Sequence, residues 1–122
     1  MRPHYNLEAW KNSMDLVDHI YEITARFPKD EKFGLSSQMR RASISVPSNI
    51  SEGAARNSTA EFANFVNIAR GSLSELETQI IISKRQRFIK KDKAAELIAK
   101  IEKVSSQLSG LYKHLKSKKR KT

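Results

Sequence analysis

Apolar residues recur along this 122-residue chain at three- and four-residue spacing in four blocks, the period of amphipathic α-helices. In the first block Trp10, Met14, Val17, Tyr21 and Thr24 form a stripe, with Ile20 and Phe27 beside it and Asp15, Asp18 and Glu22 on the neighbouring polar face. The spacing predicts a helix over residues 7–27, capped by Asn6, with Glu8 favourably in its first turn. Phe27-Pro28 ends it, because the residue before a proline is driven out of the α region. Residues 28–34 then read as a charged loop.

The second block begins near Ser36 and carries Leu35, Met39, Ala42, Val46 and Ile50 on one stripe. Pro47 falls inside it, where a missing donor and a ring pressed on the Ser43 carbonyl predict a kink or a break. Small residues crowd this helix (Ala42, Ser43, Ser45, Ser48, Ser51, Gly53, Ala54 and Ala55) and would let a neighbour approach closely. Ser58 followed by Glu61 is a capping box, in which the serine accepts from the Glu61 N–H and the glutamate reaches back. Just before it, Gly53 and Asn57 can leave right-handed helical geometry, so one helix stops and the next starts within about five residues.

The third helix is predicted over residues 59–87, about 40 Å at about 1.5 Å per residue. Its stripe is Phe62, Phe65, Val66, Ala69, Leu73, Leu76 and Ile80. Gly71 in mid-helix costs about 1 kcal/mol relative to alanine, which implies a close helix crossing there. The fourth helix starts at Asp92 as cap and runs through Leu97, Ile98, Ile101, Val104, Leu108, Leu111, Tyr112 and Leu115. Beyond it, residues 116–122 have nothing to bury and are expected to be a disordered basic tail on a bundle domain of residues 1–115. No segment alternates as a strand would, and no solenoid repeat is present. The expected fold is all-α, an antiparallel up-down-up-down four-helix bundle joined by short connections.

The apolar pattern exceeds what one bundle can bury. Ile80, Ile81 and Ile82 lie about 100° apart around their helix, so they cannot share one core, and Ile68 sits off the stripe. Self-association is the expectation, although isolated surface isoleucines are also normal.

Charge adds a second asymmetry. Residues 1–83 hold nine Lys/Arg against ten Asp/Glu, a net of −1, and residues 84–122 hold fourteen against three, a net of +11. The whole excess of +10 sits in the last third. That polarity points to a polyanion partner, nucleic acid being the commonest. There are no cysteines, which excludes disulfides, thiolate catalysis and zinc-thiolate sites. No apolar run approaches the roughly 18 residues of a spanning helix, and no secretory signal opens the chain, so the expectation is a cytoplasmic protein without membrane contact. Asn49 and Asn57 match a glycosylation pattern but read as structural without a signal peptide.

Catalytic chemistry finds little support. His4, His19 and His114 are far apart, and Asp15 with His19 reads as a solvated pair. A di-iron bundle would need Glu-x-x-His on two helices, and neither copy exists. Gly34, Gly53, Gly71 and Gly110 never cluster into a phosphate-cradling loop. No cofactor and no metal site is expected.

Three basic groups remain. Lys84, Arg85, Arg87, Lys90, Lys91 and Lys93 surround the turn between the third and fourth helices, with Asp92 the only acid among them. Such density suits phosphate oxygens, and it also suits a solubilising bundle end. Lys118, Lys119, Arg120 and Lys121 form the tail, a source of non-specific polyanion affinity. Arg40 and Arg41 lie inside the second helix, and Arg41 is expected to make a structural ion pair with an acid such as Glu52 or Glu75. Among the aromatics, Trp10, Tyr21, Phe62 and Phe65 fall on core stripes and only Phe88 is interleaved with the basic cluster, so no base-stacking platform is expected. No helix-turn-helix spacing is present either, which leaves backbone-directed binding with little discrimination between RNA and DNA.

The string Gly34-Leu35-Ser36-Ser37-Gln38-Met39-Arg40-Arg41-Ala42 is followed by Ser45-Val46-Pro47-Ser48-Asn49-Ile50-Ser51-Glu52-Gly53 and by Arg70-Gly71-Ser72-Leu73-Ser74-Glu75-Leu76-Glu77. Together they resemble the signature of the four-helix bundle proteins encoded within intervening sequences of bacterial 23S ribosomal RNA genes. The resemblance covers the chain from Leu7-Glu8-Ala9-Trp10 to about Leu115. It implies a four-helix protomer assembled as a homopentamer. It also implies kinship with the accessory variability determinant of diversity-generating retroelements, a basic pentamer linked to a reverse transcriptase and nucleic acid. For the ribosomal branch it implies an association with ribosomal RNA genes and no defined activity. The tail lies outside the signature.

The leading expectation is thus a non-catalytic oligomer that binds nucleic acid, RNA before DNA, through residues 84–93. The runner-up is a structural or adaptor protein whose partner is another protein, such as a reverse transcriptase-like one. A third is an enzyme whose site forms only between subunits, from Glu52, Glu61 or Glu75 of neighbouring chains.

Overall fold

The structure is a computed structural model that describes residues 2–121, with side chains through Lys118. A 3-10 turn at Pro3–Asn6 leads into α1 (Glu8–Thr24), and a short 3-10 turn at Lys29–Glu31 leads into α2 (Leu35–Ala54). Then follow α3 (Thr59–Arg85) and α4 (Lys91–Lys121). Among the described residues there is no strand. Each helix packs on two others around a square: α1 and α3 both lie against α2 and α4, and not against each other. With short connections this is the up-down-up-down bundle that the periodicity predicts.

The core is one continuous cluster. Leu16, Ile20, Met39, Val46, Ile50, Val66, Leu73, Leu76, Ile80, Leu97, Ile101 and Leu108 are almost entirely shielded from solvent. Three of the four apolar stripes fall where the spacing puts them. That of α1 is rotated: its buried face is Ala9, Ser13, Leu16, Ile20 and Ile23, with Thr24. Met14 and Tyr21 are 42% and 41% exposed. The error arises from size. Large side chains outweigh Ala9 and Ser13 in a periodicity count, yet small residues are what a close neighbour requires.

Helix ends explain further differences. The N-cap of α1 is Leu7, without a side-chain cap, because Asn6 belongs to the preceding 3-10 turn. Pro47 does not break α2; it is buried in a helix that runs through it. Packing on α1 and α3 outweighs the roughly 3 kcal/mol such a proline costs. Ser58 caps α3, accepting from the Glu61 N–H at 3.1 Å. Replacing Ser58 with alanine should therefore lower stability by about 0.5–2 kcal/mol. Chemical denaturation with an unchanged midpoint would count against this role for the hydroxyl.

At the other end of α3 the Arg87 and Phe88 N–H groups donate to the carbonyls of Lys84 (3.0 Å) and Ser83 (2.9 Å). This is a Schellman closure with Arg87 at φ 65° where glycine is usual. Phe88, one residue on, packs against Phe27 with ring centroids 5.3 Å apart. Asp92 is not the cap of α4 but lies in its first turn, beside the positive end of the dipole. The backbone of α4 continues to Lys121, so residues 116–121 extend the helix where the sequence predicts a disordered tail. Lys, Ser and Arg contain no helix breaker there, and the continuing helix needs no apolar face to propagate one bond per residue.

The crossing of α2 over α3 is close. Ser45 Oγ and Ser72 Oγ share a hydrogen bond at 2.8 Å, and Asn49 Nδ2 donates to both the Ser45 carbonyl and its hydroxyl. Asn49 is thus structural, as the sequence suggests. Gly71, by contrast, does not serve a crossing within the protomer, since a Cβ there would meet nothing within 4 Å.

Candidate functional site

Chain direction alternates from helix to helix, so the α1–α2 connection and the α3–α4 turn meet at the same end of the bundle, where Phe27 touches Phe88. Six cations predicted as a site surround that turn. Lys84 and Arg85 occupy the last turn of α3, where the dipole favours them. Arg87, Lys90 and Lys91 lie on the turn and the start of α4, and all five of these side chains are exposed. Lys93 is half-buried and pairs with Glu96 at 3.4 Å. Among the described residues no other member of the cluster lies in a salt bridge. Lys90 and Lys91 stand at a helix N-terminus, where a cation opposes the dipole. Stability alone would favour acids at those positions.

Lys118, Lys119, Arg120 and Lys121 are not part of this cluster. They end a helix of 31 residues that begins at the turn, roughly 45 Å away at about 1.5 Å per residue. The side chains of Lys119, Arg120 and Lys121 lie outside the described residues. The predicted binding residues thus form two separate groups, one at each end of the bundle.

The same basic end carries a feature the sequence pattern did not predict. A groove of about 790 Å³ runs between the end of α1, the α1–α2 connection and the first half of α2. The charged side chains that line it are Lys29, Lys32, Arg40 and Arg41, all cations. Its apolar lining includes Phe33, 89% exposed, and Ile44. Arg40 is held in place. Thr24 Oγ1 donates to the Ile20 carbonyl (2.7 Å) and accepts from Arg40 Nε (2.8 Å), and the guanidinium lies 4.4 Å from the Tyr21 ring centroid. Tyr21 is thus a platform for Arg40 and not a core residue.

Arg41 points elsewhere, about 100° around the helix. It is exposed and makes no salt bridge with any acid among the described residues. The expected structural ion pair is absent: Glu52 pairs with Arg56 at 3.6 Å, and Glu75 accepts from Gln79 Nε2 at 3.4 Å. Phe65 is half-buried beneath Arg56, and Trp10 packs with His4 and Tyr5. Phe33 falls in a charged loop between helices, where no periodicity marks it.

The acids of an inter-subunit site do not gather within one protomer. Glu61 lies in the first turn of α3, and Glu75 stands fourteen residues further on, about 21 Å along the axis. Among the described residues, no three His, Cys, Asp or Glu side chains come together to hold a metal ion. Among the described residues no helix is long and apolar enough to cross a membrane.

Comparison with known proteins agrees with this architecture. The family model described as 23S rRNA-intervening sequence protein matches residues 5–110. The chain belongs to this family. A crystal structure at 1.70 Å of a protein with unknown function from the S23 ribosomal protein family of Bacteroides thetaiotaomicron superposes with a TM-score of 0.81. The alignment covers 93% of this chain and 99% of that one at 22% identity, a likeness of fold alone. No curated protein matches the chain. In this member of the 23S rRNA-intervening sequence family, the string from Gly34 to Ala42 forms the start of α2, and its Ser36, Ser37, Arg40 and Arg41 line the groove.

Proposed function

We propose that this protein is a non-catalytic, basic, oligomeric binder of nucleic acid, RNA before DNA, that grips the phosphate backbone with the α3–α4 end of its bundle. One observation carries the reading: Lys84, Arg85, Arg87, Lys90 and Lys91 are exposed together without a salt bridge among the described residues. A solubilising surface intersperses both signs of charge, whereas this one concentrates a single sign, the footprint of a polyanion site. Membership of a family described by a ribosomal RNA intervening sequence is consistent with an RNA ligand. Assembly as a homopentamer would multiply the cationic ends and strengthen attachment through several weak contacts. Ile68, Ile81 and Ile82, all exposed on α3, provide apolar surface for such assembly.

The test is a fluorescence-anisotropy titration of labelled RNA at several salt concentrations, with light scattering on the same sample. Affinity is expected to fall steeply with salt, each neutralised phosphate adding about 0.7–0.9 to the log–log slope. The scattering mass is expected near five times the 13.9 kDa of one chain. Absence of binding at about 50 mM salt would leave the adaptor reading, with a protein as the partner. A mass near 13.9 kDa at micromolar concentration would remove the oligomer.

A further inference from the structure

We infer that the groove between α1, the α1–α2 connection and α2 takes unpaired nucleotides, stacking a base on Phe33 while Lys29, Lys32 and Arg41 hold the flanking phosphates. This rests on the nucleic-acid reading above and adds a second contact of different physics. Phe33 is 89% exposed, and with Lys32 Nζ over one face of its ring the other face stays open to a partner in the free protein. A phenylalanine on a solvated loop is of no use to the core, and here the core already has Phe27 in the same connection. What surrounds Phe33 selects the occupant. Lys32 Nζ stands 5.4 Å from its ring centroid, and the charged side chains lining the groove are all cations.

A flat aromatic face edged by positive charge is the arrangement that binds single strands irrespective of sequence, since every base has a π-face and every nucleotide a phosphate. An acidic protein segment would satisfy the charge and leave the ring face with no flat partner. A duplex would satisfy the charge and keep its bases stacked on each other.

The wall is also pre-ordered. Arg40, fixed by Thr24 and the Tyr21 ring, contributes charge without having to be immobilised on binding, whereas Arg41 remains free to reach a phosphate. The groove opens at the end of the bundle that carries the α3–α4 cations, and Phe27 joins the two through Phe88. A strand gripped at the turn can therefore continue into the groove, with bases engaged on the α1–α2 side and backbone alone on the α3–α4 side. This supplies a base-stacking element that Tyr21 and Phe65, covered by arginine, and Tyr5, packed with His4 and Trp10, do not offer.

The experiment compares the wild type with Phe33→Ala, Phe33→Trp and Arg41→Ala, using labelled oligouridine of about 12 nucleotides and an RNA duplex of matched charge. Phe33→Ala is expected to weaken oligouridine binding about tenfold and to leave the duplex within about twofold, with Phe33→Trp restoring or exceeding wild-type affinity. Arg41→Ala should weaken both ligands. Unchanged oligouridine affinity in Phe33→Ala, while the wild type still binds both ligands, would overturn the groove and spare the phosphate-binding reading. Equal losses on strand and duplex would overturn stacking. If the wild type binds neither, both readings fall together. A drop in scattering mass on Phe33→Ala would assign the ring to a contact between copies instead. Displacement of oligouridine from wild type, but not from Phe33→Ala, by a glutamate-rich peptide carrying one tryptophan would assign the groove to a protein partner.

Discussion

Replacing Gly53 with alanine is expected to destabilise the bundle by about 1–3 kcal/mol, although alanine is the better helix former. A Cβ at this position would stand 2.7 Å from the Phe65 Cβ, 2.9 Å from Phe62 Cδ1 and 3.3 Å from the Phe62 carbonyl oxygen. The Phe62 ring can swing aside, because it is only half-buried. The Phe65 Cβ and the Phe62 carbonyl cannot, since they ride on the α3 backbone. Relief requires α3 to move away from α2, which would stretch the Ser45–Ser72 hydrogen bond and loosen the packing of Met39, Val46 and Ile50. The same substitution at Gly71 is the control. Nothing lies within 4 Å of a Cβ there, so only helix propensity acts, and a gain of up to about 1 kcal/mol is expected. Thermal unfolding at fixed protein concentration separates the two, since each kcal/mol moves the midpoint by several degrees in a domain of this size. A Gly53→Ala midpoint equal to or above that of the wild type would refute a glycine-dependent crossing.

This contrast shows where sequence carries the fold and where it does not. Period is a local property and is legible, since the stripes of α2, α3 and α4 face the core as spaced; of the predicted caps Ser58, at the start of α3, is the one that holds. The two glycines look alike in sequence, each embedded in a helical pattern. Only the neighbouring helix distinguishes Gly53, pressed against α3, from Gly71, open to solvent. The α1 face was misplaced for a related reason. Ala9 and Ser13 are selected by the distance to the partner helix, which hydrophobicity does not encode. Asn6 failed as a cap because Pro3 starts a 3-10 turn ahead of the helix and uses up that position.

The basic end was legible as a cluster, because its six cations are close in sequence. Its companion groove was not. Lys29, Lys32, Arg40 and Arg41 come from a loop and a helix whose juxtaposition depends on the turn of the chain at residues 25–34. The ion pair expected of Arg41 rests on two adjacent arginines pointing about 100° apart, so that one can reach an acid; in the bundle, Glu52 and Glu75 have their own partners. The tail is a basic group apart from the turn in sequence and in the fold alike. Its charge is contiguous in sequence, yet an antiparallel bundle sends the end of α4 away from the α3–α4 turn, so equal density of charge does not mean one site.

Reversing Lys90 and Lys91 to glutamate is expected to weaken RNA binding about a hundredfold at low salt, across sequences, and to flatten its salt dependence. Each lost phosphate contact should remove about 0.7–0.9 from the log–log slope, so two losses lower it by roughly 1.5. The rest of the effect is expected from two anions placed where the helix N-terminus and the remaining cations would otherwise draw phosphate. Both side chains are exposed and neither makes a salt bridge among the described residues, so nothing in the fold depends on their charge. Glutamate near the start of α4 should if anything favour the helix, by about 0.3–1 kcal/mol per charge. The variant is therefore expected to unfold no earlier than the wild type while losing its ligand, a separation that a general structural defect cannot produce. Truncation after Ser117 provides the comparison. It removes four cations as against two, but from the end of α4 remote from the turn, and should lower affinity only modestly. Should the truncated chain lose more affinity than the double reversal, the principal phosphate contacts lie at the far end of α4 and not at the turn.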